Sequence, residues 1–229
     1  MAVVFDAVGS GTAKAASLTF SHTCTGSDLV LLVWIASRFN DVTGATYNTV
    51  AMTSMGASQA NTGANSYLFG FYLANPATGP NNVVISAASS GFLAAGSVSF
   101  TGVNQTTPVT GYTTANGSST TPSVTAGGTP GSDDMISDGV AGRVNAASTT
   151  TAGADQTEQW DVLAVAGDAN QQSYGSTQAG SVSPATMSWT VGTSMSWAAG
   201  AVVVEAAAAG GGGSDDLSGG ILRSRMREW

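Results

Sequence analysis

His22 and Cys24 lie two residues apart, and Asp28 follows closely, so one short segment holds a nucleophile, a base and a carboxylate. A Cys–His pair can act as nucleophile and general base when the two side chains are within hydrogen-bond reach. Residues i and i+2 of a strand face the same side, however, and leave little room for a substrate. The chain has one His and one Cys, too few for a zinc site that needs three or four ligands. We therefore expect His22 to end a strand and Cys24 to pack at a sheet edge.

Asp133, Asp134 and Asp138 form the densest acidic group of the sequence. Together with loop carbonyls they could offer oxygen ligands to Ca²⁺, which takes six to eight of them. The segment lacks the Asp-x-Asp-x-Asp-Gly spacing of a calcium loop. We therefore predict solvated turn residues here, and neither a metal nor another cofactor.

Three of the five tryptophans read as core residues. Trp34 lies inside Leu29–Ala36, a continuously apolar run that predicts a central strand covered on both faces. Trp189 and Trp197 flank Gly192-Thr193, a spacing that predicts a hairpin with both indoles packed against the sheet.

Trp160 stands between Gln159 and Asp161, in the most polar surroundings of any tryptophan in the body. Exposed aromatic rings are the usual platform on which sugars stack. Trp160 is thus the tryptophan that we expect at the surface, as a possible glycan contact.

Strand signals dominate residues 1–205, because short β-branched or aromatic runs recur between clusters of Gly, Asn, Ser and Pro. The pattern predicts an all-β fold, an antiparallel β-sandwich. The predicted strands are Val3–Ala7, Ser17–His22, Leu29–Ser37, Ala45–Met52, Tyr67–Leu73, Asn82–Ser86, Ala95–Phe100, Val109–Thr114, Ser123–Ala126, Met135–Ala141, Glu158–Ala164, Thr186–Thr190 and Ala199–Glu205.

The two halves of this region repeat each other. Gly26-Ser27-Asp28, Arg38 and Asn40 recur 105 residues later at Gly131-Ser132-Asp133, Arg143 and Asn145. Two later segments recur with a shift of 104. A sandwich of two similar half-sheets would produce this pattern, so we expect a jelly-roll-like body with pseudo-two-fold halves.

Charge is scarce and unevenly placed. Charged residues make up 9% of the chain, against about 25% in an average soluble domain. The formal net charge is −8, which disfavours binding to phosphate backbones, so no nucleic-acid partner is expected.

The single Cys excludes an internal disulfide, and no apolar run is long enough to span a bilayer. The start lacks the features of a secretory signal, so we expect a soluble protein that matures in the cytoplasm, without a membrane partner.

The C-terminal residues differ from the body. An Ala/Gly linker, residues 206–213, leads into residues 214–229, which hold three of the six basic residues. Gly-rich runs are flexible spacers, and large apolar residues with Arg are typical of interface anchors. We therefore predict a docking tail that binds another polypeptide through Ile221, Leu222, Arg223, Arg225, Met226, Arg227 and Trp229.

Six short segments carry a resemblance that covers about residues 1–206. They are Asp6–Thr12, Ala45–Thr53, Pro76–Val84, Gly96–Pro108, Gln156–Trp160 and Met187–Trp189. They resemble a β-sandwich module of tailed-bacteriophage structural proteins that also occurs in bacterial surface proteins. Thr49 departs from the pattern, because the Tyr-Asn-x-Val turn would be expected to hold Gly. The resemblance implies a fold and brings no catalytic residues with it.

Two functions are consistent with these features. The first is a non-enzymatic virion protein of a tailed phage, assembled in the host cytoplasm. It would be a capsid decoration (cement) or accessory head protein whose tail fastens it to other virion proteins or to neighbouring copies in a homo-oligomer. The second is a carbohydrate-binding or adhesin module that contacts a host surface.

Overall fold

The structure is a computed structural model and describes residues 1–59, 65–165, 170–180 and 185–208. All regular structure within these ranges is β-strand, and the predicted all-β class is confirmed. None of the described residues forms a helix that could cross a membrane. The strands are β1 (Val4–Cys24), β2 (Val30–Ser37), β3 (Val42–Tyr47), β4 (Val50–Ala51), β5 (Thr53–Gln59), β6 (Tyr67–Ala74), β7 (Gly79–Thr101), β8 (Val109–Ser119), β9 (Ser123–Thr125), β10 (Met135–Val144), β11 (Thr150–Ala152), β12 (Gln156–Ala164), β13 (Asn170–Ala179), β14 (Thr186–Val191) and β15 (Met195–Val204).

In the first half, residues 1–104, two long strands run through two layers. β1 and β7 pair along almost their whole length, with a register break between Ala15 and Ser17. The later part of β7 pairs with β2, and the earlier part pairs with β3. One layer therefore has the order β5-β6-β2-β7-β1, and the other has β4-β3-β7-β1. This is the arrangement of a jelly roll, in which a long antiparallel pair bends from one sheet into the other.

The second half, residues 105–208, repeats the same order, but each of the long strands β1 and β7 is replaced by two shorter strands. Its layers are β12-β13-β10-β15-β8 and β11-β14-β9. In the first half Trp34 stands opposite Gly70 and Gly96. Gly139 follows Trp34 by 105 residues and stands opposite Gly200, which follows Gly96 by 104. The sequence repeat is therefore a structural repeat. We expected two half-sheets of one sandwich, whereas each half is a small sandwich of its own.

The two halves pack face to face through their five-stranded layers. The indole of Trp34 lies against Gly139, its own counterpart, where a Cβ atom would stand 2.6 Å from Trp34 Cγ. At the edge of this contact, Gln171 Nε2 donates to the hydroxyl of Ser66, 2.6 Å away and again 105 residues apart. Contacts between equivalent residues of the two halves mark an approximate two-fold axis. This axis passes close to the Trp34–Gly139 and Ser66–Gln171 contacts.

Three cores follow from this packing. A central core between the halves contains Leu32, Trp34 and Val202. Each half also has its own core between its two layers, around Leu31 and Ile85 in the first half and around Trp189 in the second. β2 is buried on both faces, as the continuous apolar run predicted, and Trp34 is fully buried.

The predicted hairpin at Gly192-Thr193 is wrong. β14 pairs with β9 and β11, whereas β15 pairs with β8 and β10. Between β14 and β15 the chain crosses from one layer of the second half to the other. In the first half the single strand β7 makes the equivalent crossing without interruption. Trp189 and Trp197 are nevertheless both buried, as predicted.

The two-residue turn between β3 and β4 holds Asn48 and Thr49 with φ angles of 46° and 66°. Both central residues are left-handed, as in the type I′ turn for which Asn-Gly is the preferred sequence. A β-branched residue in this region is strained. We therefore expect Thr49→Gly to raise the free energy of unfolding by about 0.5–1 kcal/mol, since relief of strain exceeds the entropic cost of Gly. Urea unfolding followed by circular dichroism measures the change. Thr49→Ala is the matched control, and an equal gain for both variants would contradict the strain argument.

Candidate functional site

His22 is buried inside the first half, in a chain of polar groups. Its Nδ1 lies 2.8 Å from Ser97 Oγ and its Nε2 lies 2.9 Å from Ser99 Oγ. Ser99 in turn donates to a carboxylate oxygen of Asp6 at 2.7 Å. Because the Ser99 proton is used for Asp6, Ser99 accepts from His22 Nε2–H. In the neutral imidazole Nδ1 accepts from Ser97, whose hydroxyl also lies 3.3 Å from Gly9 O, so both ring nitrogens have partners.

The ionisation of this group suits a structural role. Burial lowers the pKa of His22 to about 4, against a smaller raising effect of Asp6. Burial also raises the pKa of the Cys24 thiol, which is fully buried at the end of β1. An activated nucleophile pair would need an accessible thiol with a lowered pKa. Both side chains are packed, but His22 does not end the strand as expected, because β1 continues to Cys24.

The second half shows that the fold does not need this polar chain. Ala126, Ala201 and Val203 lie 104 residues after His22, Ser97 and Ser99 and are buried in the second-half core. Sequence reasoning missed Asp6, Ser97 and Ser99 as partners of His22. Comparison of Ser97 and Ser99 with the residues 104 positions later would have shown polar residues where the other half has apolar core residues.

The three aspartates of the acidic group point to different places. Asp133 is exposed, as expected for a turn residue. Asp134 accepts from the backbone N–H groups of Gly131 and Ala206, at 2.6 and 2.8 Å. The prediction was wrong for Asp138, which is completely buried on β10. No group of three metal-ligating side chains occurs in the part of the chain that the structure describes.

Asp138 is satisfied by hydrogen bonds although no cation accompanies it among the described contacts. One carboxylate oxygen accepts from the N–H and hydroxyl of Ser176, both at 2.7 Å, and the other accepts from Trp189 Nε1 at 2.6 Å. Burial raises the pKa of Asp138 to about 6, although these donors oppose the rise. In the first half Val33 stands at the equivalent position. His22 in the first half and Asp138 in the second are therefore each held in a polar network at a position where the described residues of the other half are apolar.

Trp160 is not at the surface, which corrects the prediction of an exposed glycan contact. Its ring lies across Gly96 and Gly175, at distances that leave no room for a Cβ atom on either glycine. Its Nε1 donates to Ser173 Oγ at 3.2 Å, and the residue is 4% exposed. Its polar sequence neighbours misled the prediction, because alternate residues of β12 face opposite sides.

The beginning and the last described residues of the chain meet at one end of the molecule, the terminal end. The α-amino group of Met1 donates to Ala207 O at 3.0 Å. Ala206 forms a bridge with Val103, and Ala207 N donates to Gly102 O at 2.8 Å. The body therefore continues two residues past the predicted boundary at 205. The last described residues of the chain therefore lie at the terminal end.

The opposite end, the distal end, carries the basic side chains of the body. β2 and β10 both start near the terminal end and finish at Ser37 and Val144, and the Ser66–Gln171 contact joins these finishing ends. Arg38 and Arg143 lie there, and Lys14 sits 5.5 Å from the Phe92 ring beside Arg38. At the terminal end the ionisable side chains are acidic; they are Asp6, Asp28, Asp133, Asp134 and Glu205.

The predicted docking residues, Ile221 to Trp229, lie outside the described residues. Comparison of the chain with models of protein families, with curated proteins and with solved structures finds no match.

Proposed function

We propose that this chain is a non-enzymatic structural protein of a tailed-phage virion, a capsid decoration or accessory head protein. The residues that follow position 208 fasten it to other virion proteins or to neighbouring copies. The all-β body of two fused jelly rolls is the kind of fold that the family resemblance implies, and it supports the proposal together with the position of Ala207 beside Met1.

The observation that carries the proposal is the separation of the two ends. The chain leaves the body at Ala207, beside Met1, and the basic distal end lies a full strand length away. Eight residues of β2 correspond to roughly 26 Å of extended chain. A tail that docks at the terminal end would hold the body upright on a surface and leave the distal end free.

The reactive side chains of the body support a structural role because they are used internally. His22 is bonded between two serines, and Asp138 is bonded to Ser176 and Trp189. A buried polar group that is fully hydrogen-bonded specifies a unique packing. These groups stabilise and specify the two cores.

The proposal is tested by deleting residues 214–229. The body is closed through hydrogen bonds as far as Ala207, so the truncated protein is expected to melt within about 2 °C of the full chain. Incorporation into virions or into its homo-oligomer is expected to fall at least tenfold, because burial of four large apolar side chains at about 1.5–3 kcal/mol each is lost. Thermal melting and quantification of the protein on purified particles measure the two effects.

A charge variant separates the contributions of the tail. Replacing Arg223, Arg225 and Arg227 with Gln keeps its length and apolar residues, and should weaken association mainly at low salt. Undiminished incorporation of the truncated protein would refute attachment through the tail.

A further inference from the structure

A cleft of about 230 Å³ opens at the distal end of the second half. Arg143 lines it together with Asn145, Thr193 and Ser194. The guanidinium of Arg143 makes no hydrogen bond or ion pair with any other residue that the structure describes. An available cation thus stands beside an amide and two hydroxyl groups in a concave site.

The walls of the cleft are held in place by buried amides. Gln172 donates to Ser148 O at 2.8 Å and accepts from Ser148 N at 3.1 Å, which fixes the segment after β10. Asn170 donates to Asn145 O at 2.9 Å. The hydroxyl of Ser148 accepts from Thr193 N at 3.1 Å and joins this segment to the opposite wall. The cleft is therefore preorganised, as a binding site requires.

The first half lacks these supports at the equivalent place. Asn65 and Tyr67 stand 105 residues before Asn170 and Gln172. Asn65 is exposed, whereas Asn170 is buried. Tyr67 has no amide with which to hold a backbone segment as Gln172 does. The buried amides behind the cleft are therefore a feature of the second half alone.

The two equivalent arginines also differ in their surroundings. Arg38 is the counterpart of Arg143, and its guanidinium lies 5.7 Å from both the Phe39 and the Phe92 rings. One arginine is thus covered by aromatic rings, and the other faces a cleft. The fold alone does not require the buried amides behind the cleft, because the first half has an exposed Asn65 and Tyr67 in their places.

We propose that this cleft binds the carboxylate-bearing sugar unit of an acidic glycan. Arg143 pairs with the carboxylate, for which a guanidinium is the best geometric match. Asn145, Thr193 and Ser194 hydrogen-bond to the sugar hydroxyls. The volume is several times the roughly 30 Å³ that one water occupies in the liquid, so it exceeds what an inorganic anion needs.

The charge distribution favours this ligand at this end. The body has a strongly acidic composition, and an anionic ligand is repelled by most of its surface. The described basic side chains are confined to the distal end. The inference goes beyond virion attachment, since it concerns the end opposite Ala207 and does not depend on what the tail binds.

The test is a titration of the ¹⁵N-labelled full chain with D-glucuronate, followed by NMR. We expect saturable shifts at Asn145, Thr193 and Ser194. Glucose, the neutral match, should shift these signals at least tenfold more weakly, and so should inorganic phosphate. Arg143→Gln should raise the dissociation constant for glucuronate at least tenfold.

Lys14→Gln is the matched control, because it removes the same charge at the same end outside the cleft. It should leave the dissociation constant within twofold of the wild-type value. Asn145→Ala, a change at an exposed position, should weaken glucuronate binding about threefold. It tests the site if Arg143→Gln fails to fold. Absence of saturable shifts, equal binding of glucose or phosphate, or an equal loss in Lys14→Gln would each overturn the proposal.

Discussion

Replacing Trp34 with alanine is expected to lower the free energy of unfolding by about 3–5 kcal/mol, the usual cost of truncating a buried aromatic residue. The indole is fully buried between the halves and stacks on Tyr112 with ring centroids 6.3 Å apart. Its Nε1 donates to Ser137 Oγ at 3.1 Å, so the variant also leaves a buried hydroxyl without this partner. For a domain whose total stability is about 5–15 kcal/mol, this loss is a large fraction.

Urea unfolding followed by far-UV circular dichroism measures this loss, and a reciprocal variant tests the same contact from the other side. Gly139→Ala should also be strongly destabilising, because its Cβ would stand 2.6 Å from Trp34 Cγ. Gly44→Ala is the control, since a Cβ there has no neighbour within 4 Å. If Trp34→Ala and Gly139→Ala unfolded like Gly44→Ala, the face-to-face packing of the halves would be incorrect.

The repeat was visible in the sequence because it involves turns and polar residues that stand out. Gly26-Ser27-Asp28 and Arg38 have clear counterparts, and these mark the ends of β2 and β10. The counterpart of Trp34 is Gly139, a pair that no similarity score would align. The two are complementary across the axis, since the large side chain fills the space that the glycine leaves. The sequence shows similarity, and complementarity appears only when the halves are packed together.

β13 was missed because its sequence reads as a loop. It contains Asn170, Gln171, Gln172 and Ser173 in succession, and all four are buried. Their hydrogen bonds go to distant residues such as Ser66 and Trp160, so no local pattern reveals them. A shift of 105 residues from β6 would have predicted this strand. The same polar residues hold the distal cleft, which therefore also escaped sequence analysis.

β1 and β7 were each predicted as two separate strands. The middle of β1, around Gly9, Gly11 and Lys14, lacks the alternation of apolar residues from which strands are recognised. It is an edge strand that pairs with β7 only, and the glycines leave room for His22 and Phe20 of the folded-over part. The long strands that join the two layers of a jelly roll were thus invisible, and the fold class was predicted without its topology.

His22 and Asp138 are expected to give the stability of the wild-type protein a nearly flat pH dependence between pH 4 and 6. Burial lowers the pKa of His22 from 6.5 to about 4, so the folded protein binds this proton less tightly than the unfolded chain, and stability from this group falls as the pH drops. Burial raises the pKa of Asp138 from 3.8 to about 6, so stability from this group is present in acid and is lost as the pH rises. Each of these pKa shifts changes the free energy of unfolding by about 3 kcal/mol across its pH range. The two contributions change with pH in opposite directions and nearly cancel.

Single variants should separate the two slopes. His22→Ala, which places the residue of the second half at this position, removes the opposing slope, so stability should decrease by up to about 3 kcal/mol from pH 4 to 6. Burial also raises the pKa of Glu158, which acts in the same direction as Asp138. Asp138→Asn removes the main falling slope, so the His22 slope dominates and stability should increase by up to about 3 kcal/mol from pH 4 to 6.5. The hydrogen bonds from Thr25 and Ser99 outweigh burial and lower the pKa of Asp6, the carboxylate nearest to His22, so its own contribution falls below this window. Urea unfolding at intervals of half a pH unit gives the slopes. Slopes of the same sign in the two variants, or a wild-type slope as steep as either of them, would show that these two groups do not control the acid response.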